Sequence, residues 1–315
     1  MPAVSLRPMN LGEVLDRTFS LYKGNFLLFF GVMAWPSVFA MGFALVSTIL
    51  QSVAAKPQAG VVGVYMVAGL GGGFFLLMLA YWIAYTIALG ATTFAVSDVY
   101  LGNNATIWGS FRKMRGRTWR LMRLMGWIGL QLMGVVILLA IAMPMLIAAT
   151  PGSVGRGVGI VLVIIMIPVL IFLPIWIMLR NSVAVPALML ENLKAREASR
   201  RSVRLMKGNL GRAFLVVLLM VLVTYTVMFI FQGPFLVAAV FMSSHGQPNY
   251  LMMGLGSVLG AVGGALAAPL LMIGLVLLYY DIRVRKEAFD LQLLMGPPLE
   301  NAAGDTPAAA AAPSI

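Results

Sequence analysis

Long uncharged apolar runs alternate with short polar stretches along this chain, and each run is long enough to cross a bilayer core of about 30 Å. The runs predict six crossings: Phe26–Leu50, about Gly72–Val96, Gly126–Ala149, Val158–Leu179, Ala213–Leu236 and about Met252–Tyr280. Val61–Ser97 carries no charge and is longer than one crossing needs. Glycines at 69 and 71–73 weaken a helix there, so Val61–Leu70 is expected to be a short lead-in to the second crossing. Pro36, Pro168 and Pro174 predict kinks, and only the second crossing lacks a proline.

The polar stretches between the runs repeat one another. Arg17 to Phe26 (RTFSLYKGNF) aligns with Arg201 to Leu210 (RSVRLMKGNL) at an offset of 184, and Gly109 to Gly116 stands halfway, at 92. Leu11, Val14, Leu15, Thr18, Phe19 and Tyr22 follow the spacing of one helix face. The same offsets give Ala195, Ala198, Ser199, Ser202, Val203 and Met206, and a weaker face at Asn103, Thr106, Ile107, Ser110, Phe111 and Met114. Asn10 with Glu13 is a capping-box start for the first of these helices. Each stretch is predicted to be an amphipathic helix capped by Gly24, Gly116 or Gly208, with a cation at the negative end of its dipole.

The predicted fold is therefore an all-α polytopic membrane protein. Six transmembrane helices form three parallel repeats of amphipathic helix plus membrane hairpin, over about residues 10–100, 101–190 and 191–282. The alternative is that basic interfacial helices simply resemble one another. A single membrane domain, 1–295, would close with a charged cytoplasmic helix at 281–295. The Ala/Pro-rich tail 296–315 has nothing to pack and is expected to be disordered.

Composition agrees with this pattern. The 315 residues are 61% hydrophobic and 10% charged, with mean hydropathy +0.96, whereas a soluble domain is about a quarter charged. Cysteine is absent and His245 is the single histidine, which leaves no disulfide, thiolate nucleophile or histidine cluster. The opening MPAVSLRPMNLGEVLDR has polar residues where a secretory signal has its apolar core, so the first crossing is expected to stay as an anchor. A net charge of +12 raises the question of nucleic acid, but no binding motif accompanies it and no such partner is expected. Of the 22 cations, all but Lys56 and Arg156 fall on one side of the six crossings. That asymmetry puts both termini in the cytoplasm.

None of the charges lies inside a crossing, which argues against a proton-coupled pump. Asp98, Glu191 and Asp281 stand close after crossings two, four and six. They read as a repeated salt-bridge clasp with the basic helices, or alternatively as an acidic ring for a metal or headgroup. Arg196, Arg200, Arg204 and Lys207, with Arg112 and Arg115 on the second copy, are either solvated positive-inside surface or contacts for anionic headgroups. Glu197 is spaced to pair with Arg201. Gly256, Gly260 and Gly264 form two overlapping small-residue steps, for packing inside the monomer or for a dimer face. No catalytic residue, metal ligand or cofactor is expected.

LRPMNLGEVLDRTFSLYKGNF (Leu6–Phe26), ENLKAREASRRSVRLMKGN (Glu191–Asn209) and LLYYDIRVRKEAFDLQLL (Leu277–Leu294) resemble the membrane-domain family of glycerophosphoryl diester phosphodiesterases and YciC-like inner-membrane proteins. The resemblance implies a six-helix domain in the bacterial inner membrane. The catalytic barrel fused to it in some members has no counterpart in this chain, so the family label implies no enzyme activity here. The expected role is non-catalytic: organising lipids or partner proteins through the cytoplasmic basic helices. The alternatives are a passive or gated pathway for a lipid or small solute, and an accessory part of a phosphodiesterase system.

Overall fold

The computed structural model describes residues 7–54, 60–148, 152–243 and 249–288, and every regular element among them is a helix. In order these are α1 (Leu11–Gly24), α2 (Phe26–Ala54), α3 (Gly60–Tyr100), α4 (Ile107–Met114), α5 (Thr118–Ala148), α6 (Gly152–Arg180), α7 (Ala184–Leu190), α8 (Ala195–Met206), α9 (Leu210–Phe241) and α10 (Tyr250–Glu287). Six spans among them are long and apolar enough to cross a membrane, the fourth running from α6 into α7. The chain is thus an all-α, multi-pass membrane protein. Lys56, His245, residues 289–295 and the tail 296–315 lie outside the described residues, as does the side chain of Arg156.

The hairpins differ from the expected elements in three places. α3 runs unbroken through the glycines at 69 and 71–73, with no separate lead-in. Within a bilayer there is no water to compete for the backbone groups that glycine uncovers, so the helical hydrogen bonds persist. α10 continues without interruption into the charged segment, to Glu287, where a separate extension at 281–295 is expected. And the stretch 180–212 between the fourth and fifth expected crossings, where no apolar element is expected, contains the apolar helix α7, buried from Ala184 to Met189. Pro186 sits in the first turn of α7, where its missing N–H is one of the donors that would have no partner anyway.

The tightest packing lies at the cation-rich end rather than in the middle of the membrane. Ala91–Val96 of α3, Val183–Met189 and Val276–Ile282 of α10 are buried throughout. These three segments end the three hairpins and meet in one core, with Tyr279, Leu277, Leu188 and Met189 among its largest enclosed side chains. α1, α4 and α8 wrap this core. Each turns a hydroxyl inward at the same place in its pattern, Thr18, Ser110 and Ser202, and α8 buries Ser199 as well. Thr18 donates to Val14 O (2.7 Å) and Ser110 to Thr106 O (3.0 Å) in their own helices. Ser202 reaches across to Arg180 O at 2.9 Å, a carbonyl left open where α6 ends.

α1, α4 and α8 each precede a membrane hairpin, α2–α3, α5–α6 and α9–α10, with α7 inserted in the middle unit. The turns after α4 and α8 have the same backbone. Arg115 (φ −57°, ψ 126°) precedes Gly116 at φ +83°, and Lys207 (φ −57°, ψ 118°) precedes Gly208 at φ +83°. Arg117 N donates to Met114 O and Asn209 N to Met206 O, both at 2.9 Å, which makes type II turns that need glycine at the third position. Gly24 is the exception. It is the last helical residue of α1, the cap falls on Asn25 at φ −133°, and Asn25 N still bonds back to Leu21 O and Tyr22 O.

Candidate functional site

The three carboxylates after the even-numbered crossings each stand beside a cation, in three different settings. Asp98 meets Lys113 of α4 at 2.6 Å near the surface. Glu191 is met by Arg201 of α8 at 3.0 Å and accepts from Tyr279 Oη at 2.7 Å. Arg201 turns its other side to Glu287 of α10 at 2.5 Å, and Arg283 also bonds Glu287 at 3.1 Å. These hydrogen bonds, that of Glu287 first, raise the Arg201 pKa above its ordinary value. The expected Glu197–Arg201 pair does not form, because Glu197 instead accepts from Lys194 N at 3.1 Å and caps α8.

Asp281 departs most from the expected exposed pair. Its side chain is fully buried, and it accepts from Met9 N (2.7 Å) while meeting Arg285 (3.1 Å) and Arg212 (3.2 Å). The same two arginines donate to Met9 O. Asp281 and its two arginines therefore bind the start of the chain to α9 and α10, the carboxylate taking the N–H of Met9 and the guanidiniums its carbonyl. Among the described residues no three histidine or acidic side chains gather as a metal site.

The glycines of α10 pack against α9 of the same chain. A Cβ on Gly256 would meet Phe235 Cβ at 2.9 Å, one on Gly260 would meet Gln232 Oε1 at 2.7 Å, and one on Gly263 would meet Met228 Cα at 3.3 Å. Gly264 is not part of that contact, since its nearest neighbour is Met228 Sδ at 3.8 Å. The close face is 256, 260 and 263 because spacings of four and three together track a helix face.

With Arg201 turned inward, the opposite face of α8 is left to Arg196, Arg200 and Arg204. It faces α5 across two adjoining recesses of about 810 and 1160 Å³ that share Trp127, Arg196, Glu197 and Arg200. The first is completed by Arg180 and Arg204, the second by Trp119, Arg120, Arg123 and Lys194. Arg196 lies over the Trp127 ring at 5.1 Å and Arg180 over the Trp176 ring at 4.5 Å, cation–π contacts that hold these two guanidiniums in place. Arg120 is held by the carbonyl and side chain of Asn192 (3.2 and 3.0 Å), a residue in the left-handed region at φ 55°. The Nε of Arg180 is buried without a partner. Arg123, Arg196, Arg200 and Arg204 form no salt bridge among the described residues, and Glu197 is the one acidic residue lining either recess.

The structure thus gathers three of the six sequence-nominated cations into one groove. Arg112, Arg115 and Lys207 line neither recess; Arg115 and Lys207 precede the turn glycines, and the Lys207 carbonyl accepts from Lys286 Nζ at 2.7 Å. Arg120, Arg123, Arg180, Lys194 and Trp127 were not nominated as headgroup contacts, because they come from α5, α6 and the α7–α8 turn, which no repeat alignment connects. The tryptophan among arginines at 117–127 was the available signal. Chemically, the groove offers unpaired guanidiniums and indole faces beside the lipid-facing flanks of α5, a setting for a phosphate on an amphiphile.

Residues 155–295 match the model of the family described as the membrane domain of glycerophosphoryl diester phosphodiesterase, the family that the sequence motifs resemble. The match takes in α8 and Arg180 and leaves out the α5 wall of the groove. Neither a curated protein nor a solved structure matches the chain.

Proposed function

We propose, for a chain that carries this family's membrane domain over residues 155–295, a non-catalytic role in the bacterial inner membrane: holding anionic lipid headgroups in the groove between α5 and α8. The observation that carries this reading is a set of cations, Arg123, Arg196, Arg200 and Arg204, left without salt-bridge partners between two tryptophans. The cations beside Asp98, Glu191 and Asp281 are paired within the protein, whereas these four arginines are not. A cation near an anionic surface contributes about 1 kcal/mol, so four bias the groove by about 4 kcal/mol at low salt. The distribution of cations supports a cytoplasmic location for this end and for both termini. Lipid gathered here would organise the bilayer around the protein, and with it any partner that reads the same lipid.

The test is competitive lipid retention by the purified full chain, with dioleoylphosphatidylglycerol against dioleoylphosphatidylcholine. Preference for the anionic lipid, falling about tenfold or more in the triple variant Arg196→Glu/Arg200→Glu/Arg204→Glu, is expected. Equal retention of the two lipids by the unaltered protein would refute the reading.

A further inference from the structure

A second cavity, of about 500 Å³, lies between α2, α3, α9 and α10, away from the groove. Pro36, on its wall, is ten residues into α2, about 15 Å along the helix axis at 1.5 Å per residue. That is the middle of a hydrocarbon core about 30 Å thick. Its polar lining is Ser37, Tyr81, Tyr85, Thr224, Tyr225, Gln232 and Ser257, with no charged residue. Gly260, Ala261 and Gly264 of α10 form the floor and leave the space open.

The hydrogen-bonding state of this lining is specific. Ser37 donates to Met33 O (2.9 Å), Thr224 to Met220 O (2.8 Å) and Ser257 to Met253 O (2.9 Å). Their protons are spent on their own helices and only lone pairs face the cavity. Tyr81, Tyr85 and Gln232 have no hydrogen-bond partner among the described residues. Donors without partners are costly in a bilayer, where no water replaces the missing bond. Among the described residues α3 and α9 flank the cavity without close packing against each other, whereas α2 with α3, α2 with α10 and α9 with α10 do pack. Tyr225, on the α9 side, is 66% exposed to the lipid-facing surface. The cavity is therefore reached sideways, from the bilayer.

From this geometry we infer a binding site for an uncharged glycerolipid headgroup, of the diacylglycerol class. An anionic phosphate is excluded because no cation lines the cavity and the depth penalises charge. Free donors at Tyr81, Tyr85 and Gln232 suit the two ester carbonyls. Acceptors at Ser37, Thr224 and Ser257 suit a free hydroxyl, which a quinone or a wax ester does not offer. The acyl chains leave between α3 and α9 into the bilayer, so only the headgroup has to fit, and the volume is in the range of small-molecule pockets.

The experiment is equilibrium binding of radiolabelled dioleoylglycerol to the full chain in detergent micelles. Unlabelled dioleoylglycerol, a short-chain ubiquinone and dioleoylphosphatidylglycerol serve as competitors. Saturable binding displaced by dioleoylglycerol alone is expected. Ala261→Phe, which fills the floor, should weaken it about tenfold or more, and Tyr81→Phe/Tyr85→Phe about threefold to tenfold. The arginine triple variant of the groove should bind dioleoylglycerol unchanged, which separates this site from the headgroup groove. No saturable binding, equal displacement by the quinone, or unchanged binding in the double tyrosine variant would each overturn the inference. Should Ala261→Phe fail to yield monodisperse protein, the tyrosine variant decides the matter, since it removes two hydroxyls and no packing volume.

Discussion

Lys-Gly-Asn occurs twice, at 23–25 and at 207–209, and the two copies fold differently. At the first, Gly24 is helical and α1 passes into α2 through the single residue Asn25. Asn25 N and Nδ2 bond back to Leu21 O, and Tyr22 packs on Phe26 and Phe29, so the ladder is nearly continuous. At the second, Gly208 lies at φ +83° in a tight turn. The difference comes from α10: Lys286 Nζ donates to Lys207 O (2.7 Å) and Arg204 O (3.2 Å), taking the last carbonyls of α8 out of the helix. Tyr22 instead donates to Leu266 O, a contact that draws α1 along α10. The tripeptide turns at the copy whose carbonyls Lys286 takes and stays nearly helical at the copy where Asn25 takes them.

The largest contrast between equivalent positions should come from the carboxylates. Asp281→Ala leaves Arg212, Arg285 and the Met9 peptide without their buried partner and should cost about 3–5 kcal/mol. Asp98→Ala removes one pair at the surface, where Lys113 is half exposed, and should cost about 0–1 kcal/mol. Unfolding midpoints of the two variants in detergent measure this, and similar losses would show that burial does not distinguish the copies.

The glycines come next. A Cβ at Gly24, Gly116 or Gly208 meets nothing within 4 Å, so alanine there tests the backbone alone. Gly116→Ala and Gly208→Ala should each destabilise by about 1–2 kcal/mol, because they force an L-residue into the left-handed region. Gly24→Ala should be neutral or stabilising by up to about 1 kcal/mol, as for alanine within a helix. A cost at Gly24 comparable to that at Gly208 would contradict the two-conformation account.

The smallest effect concerns the start of α1, which has the only reciprocal side-chain box shown by α1 and α4. Asn10 Oδ1 accepts from Glu13 N (2.7 Å) and Glu13 from Asn10 N (2.8 Å), while α4 is capped by Thr106 alone. The Asn10 backbone hydrogen bond, with Arg7 beside it, holds the Glu13 pKa below its ordinary value. The box therefore contributes fully above the ordinary glutamate range, and its contribution disappears as pH falls through the lowered pKa. Amide-exchange protection in the first turn of α1, corrected for intrinsic rate, should fall on that acidification, while protection in the first turn of α4 stays unchanged. Glu13→Gln should abolish the difference.

The periodicity of apolar runs was enough to locate six crossings, because a bilayer accepts little besides long apolar helices. The offsets of 92 and 184 located α1, α4 and α8 for a related reason: a helix that lies between core and water must show its two faces in the sequence. Asp98, Glu191 and Asp281 could be read as partners of cations from charge alone. The sequence did not reveal that Asp281 is buried, since burial depends on which helices close over its end. It also did not reveal the groove, whose walls come from α5 and α8, separated in the chain by α6 and α7. Nor did it mark Tyr81, Tyr85 and Gln232 as a set, for α3 and α9 become neighbours of one cavity only through α2 and α10. Patterns repeated along the chain report the local balance between water, lipid and core. Sites assembled from distant helices depend on packing, which no local pattern encodes.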